Sequence, residues 1–353
     1  MLKIDEILVM AVEAKASDVH LTVGLPPVFR INGKLKRMDR EKLSSKDTLS
    51  LANELMDEKH LLVFHEKGEV DFSHTILGVS NFRINVFKQN GVVAASIRLI
   101  PNVIPTLEEL NLPPILASFA KLPRGLVLVT GPTGSGKSTT LAAMINYINQ
   151  NKKEHIITLE DPIEYRYEHL NCIVNQREVN SDTLSFSNGL RAALREDPDV
   201  ILVGEMRDAE TIGIAITAAE TGHLVLATLH TADAAQTVNR IIDVFPENQQ
   251  QQIRVQLAGT LQGIVAQQLL PTVGGNARVA VFEILVATPA LRNIIREGKT
   301  HQLQSYIQTG SQYGMVSMDA ALGKLVRMHV VDKEVALQRC VEPKEFERFS
   351  RGI

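Results

Sequence analysis

The chain of 353 residues is 44% hydrophobic and 22% charged, the balance of a globular protein with room for two domains. A formal net charge of −3 excludes a protein built to coat nucleic acid, which needs a large basic excess. The two cysteines, Cys172 and Cys340, lie far apart with no CxxC, which excludes a disulfide framework and a four-cysteine zinc site and fits reduced thiols in the cytoplasm.

In chain order, Met1 to Lys15 has apolar residues at Ile4, Leu8 and Val12 with charges between them. This predicts an amphipathic helix and not a signal peptide. No run approaches the roughly 20 apolar residues that cross a bilayer, so any membrane association is expected to be peripheral. Short β-patterned runs follow at 19–23, 28–31, 82–87 and 93–99, with hairpin signals at Asn32-Gly33 and Gln89-Asn90-Gly91. Residues 1–100 therefore read as a small α+β domain. Pro101, Pro105, Pro113 and Pro114 stiffen the next stretch, and 101–115 reads as a linker.

From Arg124 the pattern becomes strand, loop and helix in alternation. Apolar runs at 126–130, 155–159, 200–203, 224–229 and 279–286 are separated by helical stretches. The expectation is an α/β fold, a parallel sheet covered on both faces, over 116–288. Thr288 as a cap and Pro289 in the first turn start a helical region that runs from 289 to 353.

The most specific motif is Gly131 to Ser138, GPTGSGKS, a GxxxxGK[ST] loop between a strand and a helix predicted over 139–150. Its glycines let backbone amides curl around phosphate oxygens, and the helix start adds its positive dipole end. Gly131, Thr133, Gly134, Ser135, Gly136, Lys137, Ser138 and Thr139 are the candidate nucleotide-binding residues. Lys137 is expected at the β- and γ-phosphates and Ser138 on Mg²⁺. The strand 199–203 leads to Glu205, a carboxylate placed to align an attacking water. A second strand, 157–159, ends in Glu160, Asp161 and Glu164. Glu164 is a candidate for Mg²⁺ directly or through its water, and Glu160 and Asp161 are read as partly structural. His223 and His230 bracket a further strand. No carboxylate or thiol set converges on them, so γ-phosphate sensing or polar coupling to a neighbouring subunit is expected, with plain strand-end hydrogen bonding as the alternative.

Taken in this order, the four segments at 131–138, 157–164, 199–205 and 222–231 resemble the secretion ATPase superfamily, over nearly the whole chain. Ser17-Asp18-Val19-His20-Leu21 matches an early segment of that family. Ala290 to Glu297, ALRNIIRE, is similar to the AIRNLIRE motif of the family's retraction motors, with Leu291 and Ile295 as apolar swaps. The tetracysteine motif of its extension motors is missing. In this segment Leu291, Ile294 and Ile295 form an apolar stripe, with Arg292, Asn293, Arg296 and Glu297 expected to face away.

The resemblance implies a homo-hexameric ATPase motor for pilus retraction and twitching motility. It implies ATP and Mg²⁺ held between a PAS-like N-terminal domain and a RecA-like core, with Arg83 and Arg98 of the first domain approaching the γ-phosphate. It also implies a pilus base and an inner-membrane platform protein as partners, a peripheral position at the inner face of the cytoplasmic membrane, and no nucleic acid. An accessory retraction motor, or the ATPase of a related secretion or DNA-uptake pilus, is the runner-up. A nucleic-acid translocase is disfavoured by the acidic charge and the absence of tryptophan. A binding module without turnover is disfavoured by the acids at both strand ends.

Overall fold

The structure, a computed structural model, describes residues 3–31, 33–100, 103–275 and 277–352; Asn32 of the first hairpin signal and Pro101 of the expected linker lie outside them. The chain forms two compact units, Met1–Val103 and Ile104–Ile353.

The first unit runs α1 (Ile4–Glu13), β1 (Asp18–Leu21), β2 (Val28–Ile31), β3 (Lys34–Arg37), α2 (Ser45–Leu55), α3 (Glu58–Lys67), β4 (Glu69–Ile76), β5 (Ser80–Gln89) and β6 (Val92–Ile100). Its strands form one antiparallel sheet in the order β3-β2-β1-β6-β5-β4. Ile7, Leu8 and Ala11 of α1 and Leu51 and Ala52 of α2 join Val19, Phe82, Ile84 and Ile97 of the strands in one core. Gln89 pairs with Val92 across Asn90 and Gly91, whose positive φ of 47° and 79° suit a two-residue turn of this kind. Helices α2 and α3 and strands β3 and β4 have no counterpart in the expectation from sequence. The start of α2 is nonetheless marked: Ser44 Oγ accepts from Asp47 N while Asp47 accepts from Ser44 N, a reciprocal capping box.

The second unit continues with α4 (Ile115–Ala120), β7 (Gly125–Thr130), α5 (Lys137–Asn151), β8 (His155–Glu160), β9 (Ile173–Glu178), α6 (Phe186–Ala193), β10 (Val200–Val203), α7 (Ala209–Glu220), β11 (Leu224–Leu229), α8 (Ala234–Asp243), α9 (Glu247–Thr260), β12 (Leu261–Pro271) and β13 (Arg278–Val286). The remaining elements are helical: α10 (Pro289–Arg296), α11 (Leu303–Thr309), α12 (Met318–Arg327), α13 (Lys333–Leu337) and α14 (Pro343–Arg351).

The seven strands lie in the order β13-β12-β7-β11-β10-β8-β9. All neighbours are parallel except β12 and β13, which form an antiparallel pair. The run at 279–286 is thus an antiparallel edge strand and not part of the parallel set, a correction to the sequence reading. Side chains alternate as a sheet buried on both faces requires. Leu126 and Leu128 pack with α7, α8, α9 and α10, whereas Val127 and Val129 pack with α4 and α5. A smaller core joins Leu270 and Val281 to Met318, Leu322 and Phe346 of the C-terminal helices.

Candidate nucleotide site

Strand β7 is buried throughout and delivers the chain to the loop 131–136. Gly131 N donates to Leu229 O at the end of β11, so the loop starts from a fixed point. Gly131 and Gly136 have φ of 143° and 91°. A Cβ on Gly131 would sit 2.1 Å from the Gln267 carbonyl oxygen, and one on Gly136 would sit 2.8 Å from Gln267 Nε2, so this side of the loop admits only glycine. Its other side is open: a Cβ on Gly134 would meet nothing within 4 Å. Helix α5 begins at Lys137 with Gly136 as N-cap and no side-chain acceptor for its first amides. Free first-turn donors behind an open glycine loop are the donor set that phosphate oxygens require, and they fit the triphosphate of the expected nucleotide.

Lys137 Nζ donates to Gly131 O at 2.8 Å and Pro132 O at 3.2 Å. Burial pulls the ammonium below its ordinary value, while the carboxylates of Glu205 and Glu164 pull it back up. That opposition brings three of the predicted residues together around one charge. Ser138 and Thr133 are exposed and Ser135 is buried. Thr139 Oγ1 lies 2.9 Å from Tyr165 OH, which ties the first turn of α5 to the segment after β8.

The acids arrive at one edge because β8, β10, β11 and β7 are parallel neighbours and their C-terminal ends share a side. Open α/β sheets place ligands along this edge. Glu205 is pinned from both sides, since Gly204 N donates to Leu159 O at 2.7 Å and Met206 N to Thr228 O at 3.1 Å. Its Oε2 lies 2.7 Å from Arg207 Nη2 and its Oε1 3.2 Å from His230 Nε2. Burial pushes the Glu205 carboxyl up, but the Arg207 hydrogen bond and the His230 charge outweigh it and hold the group below its usual value. Glu160 behaves oppositely. Burial pushes it up to about 6 despite hydrogen bonds from Thr158 Oγ1 at 2.6 Å and Gln176 Nε2 at 3.1 Å. Glu164 is exposed. Among the described residues no group of three His, Cys, Asp or Glu could hold a metal. Ser138 and Glu164 are both exposed and offer the oxygen atoms that Mg²⁺ takes, an ion that uses few protein ligands and completes its shell with phosphate oxygens and water.

The histidines and α10 take the following places. His223 is not brought to the loop: its carbonyl accepts from Gly125 N at the start of β7, and its Nδ1 is 2.9 Å from Ala218 O. His230 follows the other end of the same strand, roughly 20 Å away at about 3.3 Å per residue. Within this chain, strand-end hydrogen bonding accounts for His223. In α10 the stripe Leu291, Ile294 and Ile295 is buried as expected. Arg292, however, does not face away: its guanidinium is half-buried and donates to the carbonyls of Ala287, Ala258 and Gly259 and to Gln262 Oε1 over 2.7–3.1 Å. It satisfies the last carbonyls of α9, which has no glycine to close it.

In the first unit, direct register aligns Arg30 of β2, Asp18 of β1, Arg98 of β6 and Arg83 of β5 in one cross-strand row. Like charges face each other at Arg83 and Arg98, and Asp18 Oδ1 lies 3.2 Å from Arg98 Nε. The sequence reading did not single out Arg207, Tyr165 or Gln267. None of the three has a local signal: Gln267 lies on a strand the sequence does not announce, and the partners of all three are set by the fold.

The family described as type II/IV secretion system protein matches residues 2–335. The type IV pilus retraction ATPase PilT of Pseudomonas aeruginosa is 49% identical over 343 residues, covering 97% of this chain and 99% of that protein. A twitching motility protein of Neisseria gonorrhoeae is 50% identical over 313 residues, covering 89% of this chain and 84% of its own. Among solved structures, the pilus retraction motor PilT with bound ADP superimposes with a TM-score of 0.93 at 52% identity, over 99% of this chain and 100% of that one.

Proposed function

The chain belongs to the type II/IV secretion system protein family, and on that premise we propose that it is an ATPase motor that retracts type IV pili. The reading is supported by near-complete coverage of a pilus retraction ATPase at 49% identity, and by a fold that matches a retraction motor with bound ADP at a TM-score of 0.93. The second unit is read as a RecA-like core and the first as a PAS-like domain, with six copies forming a ring.

In the proposed cycle the amides of 131–136 and Lys137 hold the phosphates of ATP. Glu205 aligns a water on the γ-phosphorus, with His230 beside it as a polar partner. Arg83 and Arg98 meet the charge that develops on the leaving phosphoryl, a task suited to guanidinium groups because they stay ionised and bind in two places. Ser138 would hold Mg²⁺, with Glu164 acting on it directly or through water, and the ion would neutralise charge between the β- and γ-phosphates. Loss of the γ-phosphate then removes the contacts made to it, which couples hydrolysis to movement. The work is delivered to an inner-membrane platform protein at the pilus base. No helix among the described residues is long and apolar enough to cross a membrane.

Deleting the gene in its host tests the reading. Retraction predicts cells that keep or gain surface pili and lose twitching motility; loss of pili would assign the chain to extension or secretion instead.

A further inference from the structure

Gln267 lies on β12, which runs parallel to β7 and pairs Ala266 with Thr130, the residue before the loop. The next position on each strand is therefore Gln267 beside Gly131. Gln267 is 3% exposed, one of three glutamines on β12, and both ends of its amide are used. Nε2 donates to Ser135 O at 2.7 Å, and Oε1 accepts from Thr140 Oγ1 at 2.7 Å. The orientation of the amide is dictated, because a backbone carbonyl can only accept. Ser135 and Thr140 are themselves buried, at 2% and 1% exposure.

The geometry points to Gln267 as a positioning residue for the phosphate-binding loop: by holding the Ser135 carbonyl against the floor of the loop, it aims the Gly136 N–H out of the loop towards the phosphates. The inference rests on the reading that this loop binds a nucleotide. Its physical basis is the trans peptide, in which C=O and N–H point in opposite directions, so fixing one fixes the other. Glutamine is required because the floor offers one acceptor to be donated to and one hydroxyl to be accepted from. Leucine would leave both unpaired in a dry site. A glutamate carboxylate could still accept from Thr140 but would turn a lone pair on the Ser135 carbonyl. Burial of the amide also accounts for Gly136, where a Cβ would sit 2.8 Å from Gln267 Nε2; at Gly131 the clash is with the Gln267 backbone carbonyl instead.

The test uses the full-length protein, with ADP affinity measured by titration and the thermal midpoint measured without nucleotide. Gln267→Leu and Gln267→Glu are each expected to weaken ADP binding by about tenfold or more while the midpoint, though lowered, stays above the temperature of the titration. For Gln267→Glu the loss should shrink as pH falls, because the protonated carboxyl regains a donor for Ser135 O. Under a purely structural role affinity would recover only in step with the thermal midpoint. The inference is overturned if both variants bind ADP within about threefold of wild type, or if affinity is lost only together with the fold in both. If the wild-type protein itself does not bind ADP, the proposed function and this inference fail together; unchanged variants on a binding wild type overturn the inference alone.

Discussion

Arg207 Nη2 lies 2.7 Å from Glu205 Oε2, so the carboxylate at the tip of β10 carries its own counter-charge two residues along the chain. His230 takes the other oxygen at 3.2 Å. The arrangement keeps Glu205 ionised although burial opposes it. An ionised carboxylate is the form that aligns a water by accepting from it.

Removing the counter-charge has a defined consequence. In Arg207→Ala, burial acts on Glu205 with less opposition and its pKa rises. The acid limb of the kcat/KM profile for ATP is therefore expected to move to higher pH, with a smaller change on the alkaline side. An acid limb that does not move would mean that Glu205 ionisation does not govern the limb.

Glu160 provides a stability test with the opposite sign. Its folded pKa of about 6 exceeds the ordinary 4.5, so the fold binds its proton more tightly than the unfolded chain does. The stabilisation is complete below the unfolded value and is lost as pH rises through the folded one. At about 1.4 kcal/mol per unit this amounts to at most about 2 kcal/mol, reduced by the residual solvent access of the side chain. Glu160→Gln should flatten the fall in thermal midpoint between pH 4.5 and pH 6 and be more stable than wild type at pH 8. Parallel curves for the two proteins would remove burial as the cause.

Arg292 closes α9 from α10 with bonds to Ala258 O and Gly259 O at 2.7 and 2.8 Å. Arg292→Ala leaves those carbonyls without a donor, and a loss of about 2 kcal/mol in denaturant unfolding is expected. Arg292→Lys should recover less than half of it, since one ammonium cannot span acceptors that the guanidinium reaches from three nitrogens. Full recovery in lysine would show that charge alone matters here.

If Arg83 and Arg98 act on a nucleotide bound by another copy of the chain, defective subunits should complement. Mixing Arg98→Ala with Lys137→Ala protein is expected to restore part of the ATP turnover that neither has alone, most strongly near equal proportions. No recovery at any ratio would place each arginine on its own subunit's nucleotide or outside the reaction.

Much of this was legible from sequence wherever the signal is local. The loop 131–138, the strands leading to Glu160 and Glu205, and the Thr288-Pro289 helix start each announce themselves within a few residues, and Thr288 Oγ1 does accept from Leu291 N. Strand β12 was not legible because α9 passes directly into it at Leu261 with no intervening loop, so the apolar pattern changes period within a continuous run. Without β12 there is no partner for Gln267, and β13 reads as one more parallel strand. Strand β9 was missed because Ile173-Val-Asn-Gln-Arg-Glu lies at the sheet edge and is half polar. Arg292 was misread for another reason: helical periodicity shows which side of α10 it occupies but not that the end of α9 lies there to receive it.

The most direct test of the account is to measure ATP binding and phosphate release in parallel on Glu205→Gln protein. The account predicts binding within about threefold of wild type and turnover reduced by roughly 100-fold or more, because the loop and Lys137 still hold the phosphates while the water loses its acceptor. Turnover close to wild type would contradict it and move the chemistry away from the tip of β10.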